Sequence, residues 1–318
     1  MNTISSSITR SAPGKVILCG EHSVVYGQPA LAVPVSGLRA HAAIAPAAEE
    51  LRLCAADLGE VVALQAAPLD HPLAAIARLT LAYIHMPAPA ATLTVRSDLP
   101  IAAGLGSGAA VSVAAARALA AYLGHPLDAA AASALAYEVE KLHHGAPSGI
   151  DNTVIAYEQP VYFIKGQPPE LLRLRTTLTL LIADSGIPGV TRDVVAGVAA
   201  RRAVAPAIYD AAFERIGMLV ERVRALLAAG QGGAALGALL DENHTLLQTI
   251  GVSLPPLDRL VAVARAAGAL GVKLTGAGGG GNIIALVTSE TGAAVRAALL
   301  QAGARQVWQT VLGNAVDV

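Results

Sequence analysis

A chain of 318 residues with 54% apolar and 14% charged side chains is long enough for two cores and too apolar for global disorder. Its net charge is −1 and no basic run exceeds two residues, which excludes the clustered Lys/Arg footprint of a nucleic-acid binder. Aromatic residues make up only 3%, so the cores are expected to hold small residues and closely packed helices. The densest basic pair, Arg201-Arg202, reads as a solvated helix face.

Mean hydropathy is positive, which calls for a membrane test. The longest nearly uncharged stretch, Leu99 to Ala116, is broken by Gly104, Gly106, Ser107 and Gly108 and reads as a turn rather than a span. The opening residues MNTISSSITR are polar and lack the apolar core of a signal peptide. Two cysteines, Cys19 and Cys54, are too few for a metal cage, and nothing points to a disulfide-forming compartment. These features describe a cytoplasmic protein with no membrane partner.

In chain order, Val16 to Cys19 follows Pro13-Gly14 as a short strand. Leu31 to Val35 and Arg39 to Ile44 read as two further strands. Pro72 to Ile84 is helical, and Thr92 to Arg96 alternates as a strand. A glycine-rich turn then opens a helix from Ser107 to Leu123, and a second helix covers Leu127 to Leu142. The adjacent pair His143-His144 cannot share a helix face, which disfavours joint metal ligation. Gly145 to Asn152 is read as a turn-rich loop. Val161 to Ile164 and Leu178 to Ala183 are strands. Helices are expected over Arg192 to Ala203, Ile208 to Leu227, Gly233 to Leu247 and Leu257 to Ala267. Asn282 to Val287 is a strand, and Gly292 to Ala302 the last helix. Strand and helix do not alternate regularly enough for a doubly wound parallel sheet, so the order favours two α+β domains, 1–175 and 176–318.

Two glycine-rich segments could hold phosphate. Gly104, Leu105, Gly106, Ser107, Gly108 and Ala109 follow a strand and open a helix, where small residues and free N–H groups suit an anion. No Lys-Ser/Thr follows, so the segment is not a P-loop. The loose dinucleotide match fails because a helix follows where a Rossmann unit needs a strand. Gly276, Ala277, Gly278, Gly279, Gly280 and Gly281 lead into a strand. A run this flexible implies close approach to a ligand or to another backbone. Among charged residues, Glu140 stands near a helix C-terminus, against the helix dipole, where a metal ion or a nearby arginine would justify it. Asp151 falls in the turn segment and Lys15 opens a strand that ends at Glu21-His22.

Together these segments resemble the three motifs of the GHMP kinase family, with its mevalonate-phosphorylating branch the nearest likeness. The first motif is Ala12-Pro13-Gly14-Lys15 through Gly20-Glu21-His22. The second runs from Asp98-Leu99-Pro100 through Gly104 to Ala110. The third is Lys273-Leu274-Thr275 through Gly281. Their order and spacing cover nearly the whole chain. The resemblance implies a two-domain α+β fold, with an N-terminal domain like ribosomal protein S5 domain 2 and a ferredoxin-like C-terminal domain. It implies ATP and Mg²⁺ as cofactors, mevalonate as the small-molecule partner and its C5 hydroxyl as the acceptor, and it leaves room for a homodimer.

By the same resemblance the second motif wraps the ATP phosphates, Glu140 binds Mg²⁺, and Asp151 accepts the hydroxyl proton. Lys15 contacts Asp151 and the hydroxyl, where an ammonium stabilises developing negative charge. Glu21, His22 and Thr191 orient mevalonate, and Gly276, Ala277, Gly278 and Gly279 shape the acceptor side. Two departures stand out. The family's second motif has a serine where this chain has Gly108, so Ser107 or water must complete the metal shell. Asn282 stands where a cysteine is common. Sibling kinases, a catalytically silent ligand sensor and an NAD(P) enzyme are the competing readings. The scarcity of cations in the first motif disfavours a phosphorylated acceptor, and retention of Lys15, Glu140 and Asp151 together disfavours the sensor.

Overall fold

A computed structural model describes residues 7–100, 103–144, 147–189 and 191–313, without the side chains of His143 and His144. The expectation for the histidine pair, and parts of the turn at 145–146, lie outside the described residues. In chain order the elements are β1 (Ile8–Cys19), β2 (Ala30–Pro46), β3 (Arg52–Ala55), β4 (Glu60–Ala63), α1 (Pro72–Tyr83), β5 (Ala91–Ser97), α2 (Ser107–Tyr122), α3 (Ala129–His144) and α4 (Ile150–Tyr157). There follow β6 (Val161–Phe163), β7 (Glu170–Leu171), β8 (Leu178–Asp184), α5 (Thr191–Val204), α6 (Pro206–Ala228), α7 (Ala234–Thr249), α8 (Pro255–Ala266), β9 (Gly271–Thr275), β10 (Asn282–Val287), α9 (Gly292–Gln301) and β11 (Gln306–Leu312). Short 3₁₀ turns occupy Ser23–Tyr26 and Ala56–Leu58.

Packing divides the chain into two compact units, neither of which is one continuous stretch. The first comprises the described residues of Met1–Lys15, Leu38–Ile101 and Gly106–Glu158. Its strands run β4-β3-β5-β2, with β3 parallel to β5 and the other pairs antiparallel; Ala43 faces Thr94 and Cys54 faces Thr94 from the other side. The alanine-rich helix α2 is buried on most of its circumference and packs on α1, α3, α4 and β5. Alanine combines the best helix propensity with the smallest side chain, so neighbouring helices approach α2 closely. Pro72 at the first position of α1, with His71 Nδ1 accepting the Ala74 N–H at 3.2 Å, sets where α1 begins.

The second unit comprises Val16–Gly37, the described residues of Ala102–Leu105, and Gln159 onward. Its antiparallel sheet has the order β11-β8-β10-β9, with Ile283 opposite Ala183 and Leu274. Every residue of β10 is buried, as a central strand covered on both faces requires. Sheet residues Leu181, Ala183 and Ala285 share one core with Phe213 and Ile216 of α6, Leu257 and Leu260 of α8, and Val295 of α9. Tyr26 stacks on Phe213 at 4.4 Å between ring centroids, which draws the 3₁₀ turn after β1 into this core.

His244 of α7 is buried in the same unit. Its Nδ1 accepts the Leu274 N–H at 3.3 Å, so the ring proton is on Nε2, which donates to Asp258 at 3.1 Å. Burial pushes this imidazole down to about 4 despite Asp258. Between pH 6.5 and 4 the unfolded chain therefore takes up a proton that the fold refuses, and stability falls as the pH falls through that window. The melting temperature is expected to drop on acidification, and His244→Gln should flatten the slope; an unchanged slope would show that His244 does not carry it.

Several sequence expectations change here. The strands expected at 31–35 and 39–44 are one continuous strand, because Ser36 and Gly37 stay extended although exposed. Asp151 is not in a loop: it lies in the first turn of α4, which Gly149 caps at φ 90°. A carboxylate at that position is favoured by the helix dipole. Both cysteines are free thiols, Cys19 fully buried. Among the described residues no helix is long and apolar enough to cross a membrane.

Candidate active site

In the first unit, β1, α2 and α4 bring three of the expected groups together. Lys15, almost wholly buried, extends its ammonium to Asp151 Oδ1 at 2.9 Å, while the aspartate side chain keeps 28% of its surface exposed. The pair is therefore open on the carboxylate side only. Lys15 reaches it by passing over Gly106: a Cβ there would lie 3.1 Å from Lys15 Cγ and 2.7 Å from Ile155 Cδ1. Gly106 also has φ 74° and caps α2, so two independent requirements select glycine at the point where the phosphate-type loop meets the lysine.

Glu140, half-buried on α3, senses the same pair. Burial, reinforced by the Asp151 carboxylate, pushes its carboxyl up to about 8, with Lys15 opposing. Ionised, Glu140 would add a second negative charge beside a pair that holds one ammonium. Ser107 is the first residue of α2, whose initial N–H groups have no partner within the helix. Gly108 is exposed, and a Cβ placed on it meets nothing within 4 Å.

The second unit holds the other expected residues. Glu21 is fully buried: its carboxylate takes the ammonium of Lys273, likewise fully buried, and the Asn243 amide at 3.0 Å. Glu21 therefore offers no surface to a substrate, and it holds the turn on which His22 follows. His22 adopts φ 60°, rare for a side-chain-bearing residue, and its ring lies 2.8 Å from the Ala277 carbonyl. Burial lowers its pKa. The neutral ring thus donates from Nε2 and keeps Nδ1 as an acceptor. Thr191 is exposed at the start of α5.

The glycine run between β9 and β10 has its reason in backbone approach. Gly276 and Gly278 to Gly281 all have positive φ. A Cβ on Gly278 would fall 2.2 Å from the Val252 carbonyl oxygen, and one on Gly280 2.5 Å from that of Ile187. The run also lies against Ala103 and Gly104, where the glycine turn of the second motif begins. Asn282 donates to the Ala103 carbonyl, and Gly276 passes the backbone of Gly104. Leu105 is fully buried, which anchors that end of the loop.

Residues 70–159 match the family of GHMP kinases N terminal domains, and residues 223–305 match that of GHMP kinases C terminal. A protein of Thermococcus sibiricus described as mevalonate kinase is 36% identical, over 92% of this chain and 93% of that protein. The chain belongs to the GHMP kinase family. Among solved structures of GHMP kinases, the Methanococcus jannaschii mevalonate kinase overlays with a TM-score of 0.85 at 25% identity, covering 97% of this chain and 99% of that one. The L. major mevalonate kinase in complex with R-mevalonate overlays at 0.84, also at 25% identity, covering 98% of each chain. The mixed α+β fold expected from the motifs is that of these structures.

Whether this GHMP kinase can hold Mg²⁺ is answered by its donors. Among the described residues no cluster of three or more His, Cys, Asp or Glu forms a cage. Magnesium needs none, being held by one or two carboxylates with phosphate oxygens and water. Glu140, whose carboxyl burial and Asp151 push up to about 8, fits a cation that would ionise it, and Ser107 at the start of α2 carries a hydroxyl of the oxygen type magnesium takes. Gly108→Ser is expected to leave the enzyme active and to tighten its Mg²⁺ requirement, read from a metal titration of kcat/KM. Loss of activity would show that the loop cannot accept the side chain.

Asn282, Lys273 and Asn243 escaped the sequence reading as supporting residues. Asn282 looked inconsequential because its partner, Ala103, is 179 positions away.

Proposed function

We propose that this chain transfers the γ-phosphoryl group of ATP to the C5 hydroxyl of mevalonate, giving 5-phosphomevalonate for isoprenoid biosynthesis by the mevalonate pathway. The observation that carries the reading is the buried Lys15 ammonium, joined to Asp151 at 2.9 Å and packed against Gly106 of the phosphate-type loop. With Oδ1 held by Lys15, Asp151 takes the hydroxyl proton on Oδ2. The substrate oxygen attacks the γ-phosphorus as its bond to the bridging oxygen breaks. Lys15 stabilises the charge that grows on the attacking oxygen. The free N–H groups opening α2, with Gly104 and Leu105 before them, cradle the phosphates. Glu140 and Ser107 would hold Mg²⁺, which when bound would neutralise phosphate charge.

On the acceptor side, His22 and Thr191 orient the substrate, Glu21 positions His22 through Lys273, and Gly276 to Gly279 shape the surface. The ATP-binding domain is assigned to residues 1–175 and the second domain to 176–318, a division along the chain that the family matches flank; by packing, Val16–Gly37 and the residues from Gln159 onward belong to the second compact unit instead. The enzyme acts in the cytoplasm on a small acid.

The test is coupled ADP release with ATP and Mg²⁺ over mevalonate, 5-phosphomevalonate, galactose and homoserine. Turnover is expected with mevalonate, with phosphate appearing on C5. Silence with mevalonate beside turnover of another acceptor would reassign the substrate, and silence with all four would favour the sensor reading.

A further inference from the structure

At the far ends of α2 and α4 from the phosphate loop, Glu158 places one carboxylate oxygen on Arg39 at 2.8 Å and the other on Arg117 at 2.7 Å. Arg39 also donates from Nε to Ser11 at 2.9 Å, and Arg117 donates to the Ala156 carbonyl. The cluster lines a cavity of about 480 Å³ together with Arg10 and Leu127. Three of the four tied residues sit on or directly beside elements that also carry a working group, Arg39 on β2 being the exception. Ser11 is on β1 with Lys15, Arg117 is on α2 with Ser107, and Glu158 directly follows α4 with Asp151. At a rise of about 1.5 Å per helical residue, Arg117 lies roughly 15 Å along α2 from Ser107, and Glu158 roughly 10 Å from Asp151. Both helices are short enough to transmit an axial shift as rigid bodies.

Glu158 has φ 54° as the C-cap of α4. Glycine or asparagine is the usual residue in that conformation, because a larger side chain strains it. A glutamate held there by two arginines is a conformation over-determined by its surroundings, which is the pattern of strain kept for a purpose. A cap needed only to end the helix would be served better by glycine. We infer that Arg39, Arg117 and Glu158 form a positioning clamp that keeps Asp151 and Ser107 in axial register with Lys15. The inference rests on the proposed roles of those three residues.

Glu158→Gly separates the clamp from stability, since glycine suits φ 54° and opens a gap between two arginines that faces the cavity. In purified full-length enzyme the variant is expected to melt near the wild-type temperature. Its kcat should fall about 10-fold, as sub-ångström misplacement of reacting groups would produce, with KM for ATP little changed. Acetate should restore part of the loss by bridging the arginines, whereas chloride at equal ionic strength should not. Arg117→Lys, which keeps the charge but loses the fork to Glu158 and Ala156, should fall in the same direction. A second readout does not need turnover: hydrogen exchange of the helix-bonded amides Val154 to Tyr157 of α4 should quicken in Glu158→Gly. Wild-type kcat with unchanged exchange in Glu158→Gly overturns the clamp, as does a loss that acetate and chloride repair equally. If the wild type phosphorylates none of the acceptors, the exchange measurement still decides the clamp while the functional reading fails by itself.

Discussion

Asp151→Asn is expected to lower kcat by about 10³-fold, within the 10²–10⁴-fold range of a lost general base, while ATP affinity stays near wild type. Asparagine keeps the shape of the side chain and an oxygen for Lys15, so the geometry around the 2.9 Å contact survives. What is lost is the capacity to take a proton as the acceptor oxygen attacks. Binding of ATP draws on the glycine loop and the α2 N-terminus and should not register the change. Calorimetry with ATP and Mg²⁺, set beside steady-state rates, separates the two. A variant that retains near wild-type kcat would remove Asp151 from the role of base and leave it as a partner of Lys15 alone.

The largest expected effect on stability lies in the other unit. Lys273→Met should destabilise the protein by about 3–5 kcal/mol, the usual loss when one member of a buried ion pair is removed. Both side chains are fully buried, so among the described residues the stranded Glu21 carboxylate would keep only the Asn243 amide, away from water. The double variant Glu21→Gln/Lys273→Met leaves no buried charge and should regain much of that loss, because an apolar or neutral replacement of both partners is often tolerated. The midpoint of chemical denaturation followed for wild type, both single variants and the double variant gives the coupling. A single-variant loss below about 1 kcal/mol would mean the pair behaves like a solvated one. The turn bearing His22 shares this anchor, so KM for mevalonate should rise in Lys273→Met even where the protein remains folded.

Much of the secondary structure was legible because its signals are local. The glycine turn before an alanine-rich run marked the start of α2 at Ser107, and the β-prone run 178–183 matched β8 (Leu178–Asp184) to one residue. Where the reading failed, the deciding contact was distant. Pro147-Ser148-Gly149 carries turn chemistry, yet Gly149 serves as the cap of α4, and the helix beyond it is held by packing on α2 and α3. Arg52–Ala55 and Glu60–Ala63 were missed as strands because they are short, and pairing with each other and with β5 is what makes them strands. Ser36-Gly37 looked like a break and is a point where one strand passes from one compact unit into the next.

For the site, chemical identity and spacing along the chain were enough to nominate Lys15, Glu140, Asp151 and both glycine segments, since motif resemblance depends only on residue type and order. Three-dimensional packing decided which of those residues meet and which are closed off from solvent. It joined Lys15 to Asp151, raised Glu140 by burial beside a second carboxylate, and closed Glu21 away behind Lys273. Lys273 and Glu21 are 252 positions apart, and a pairing over that distance leaves no trace in local sequence, because either residue alone is as well explained by water as by its partner.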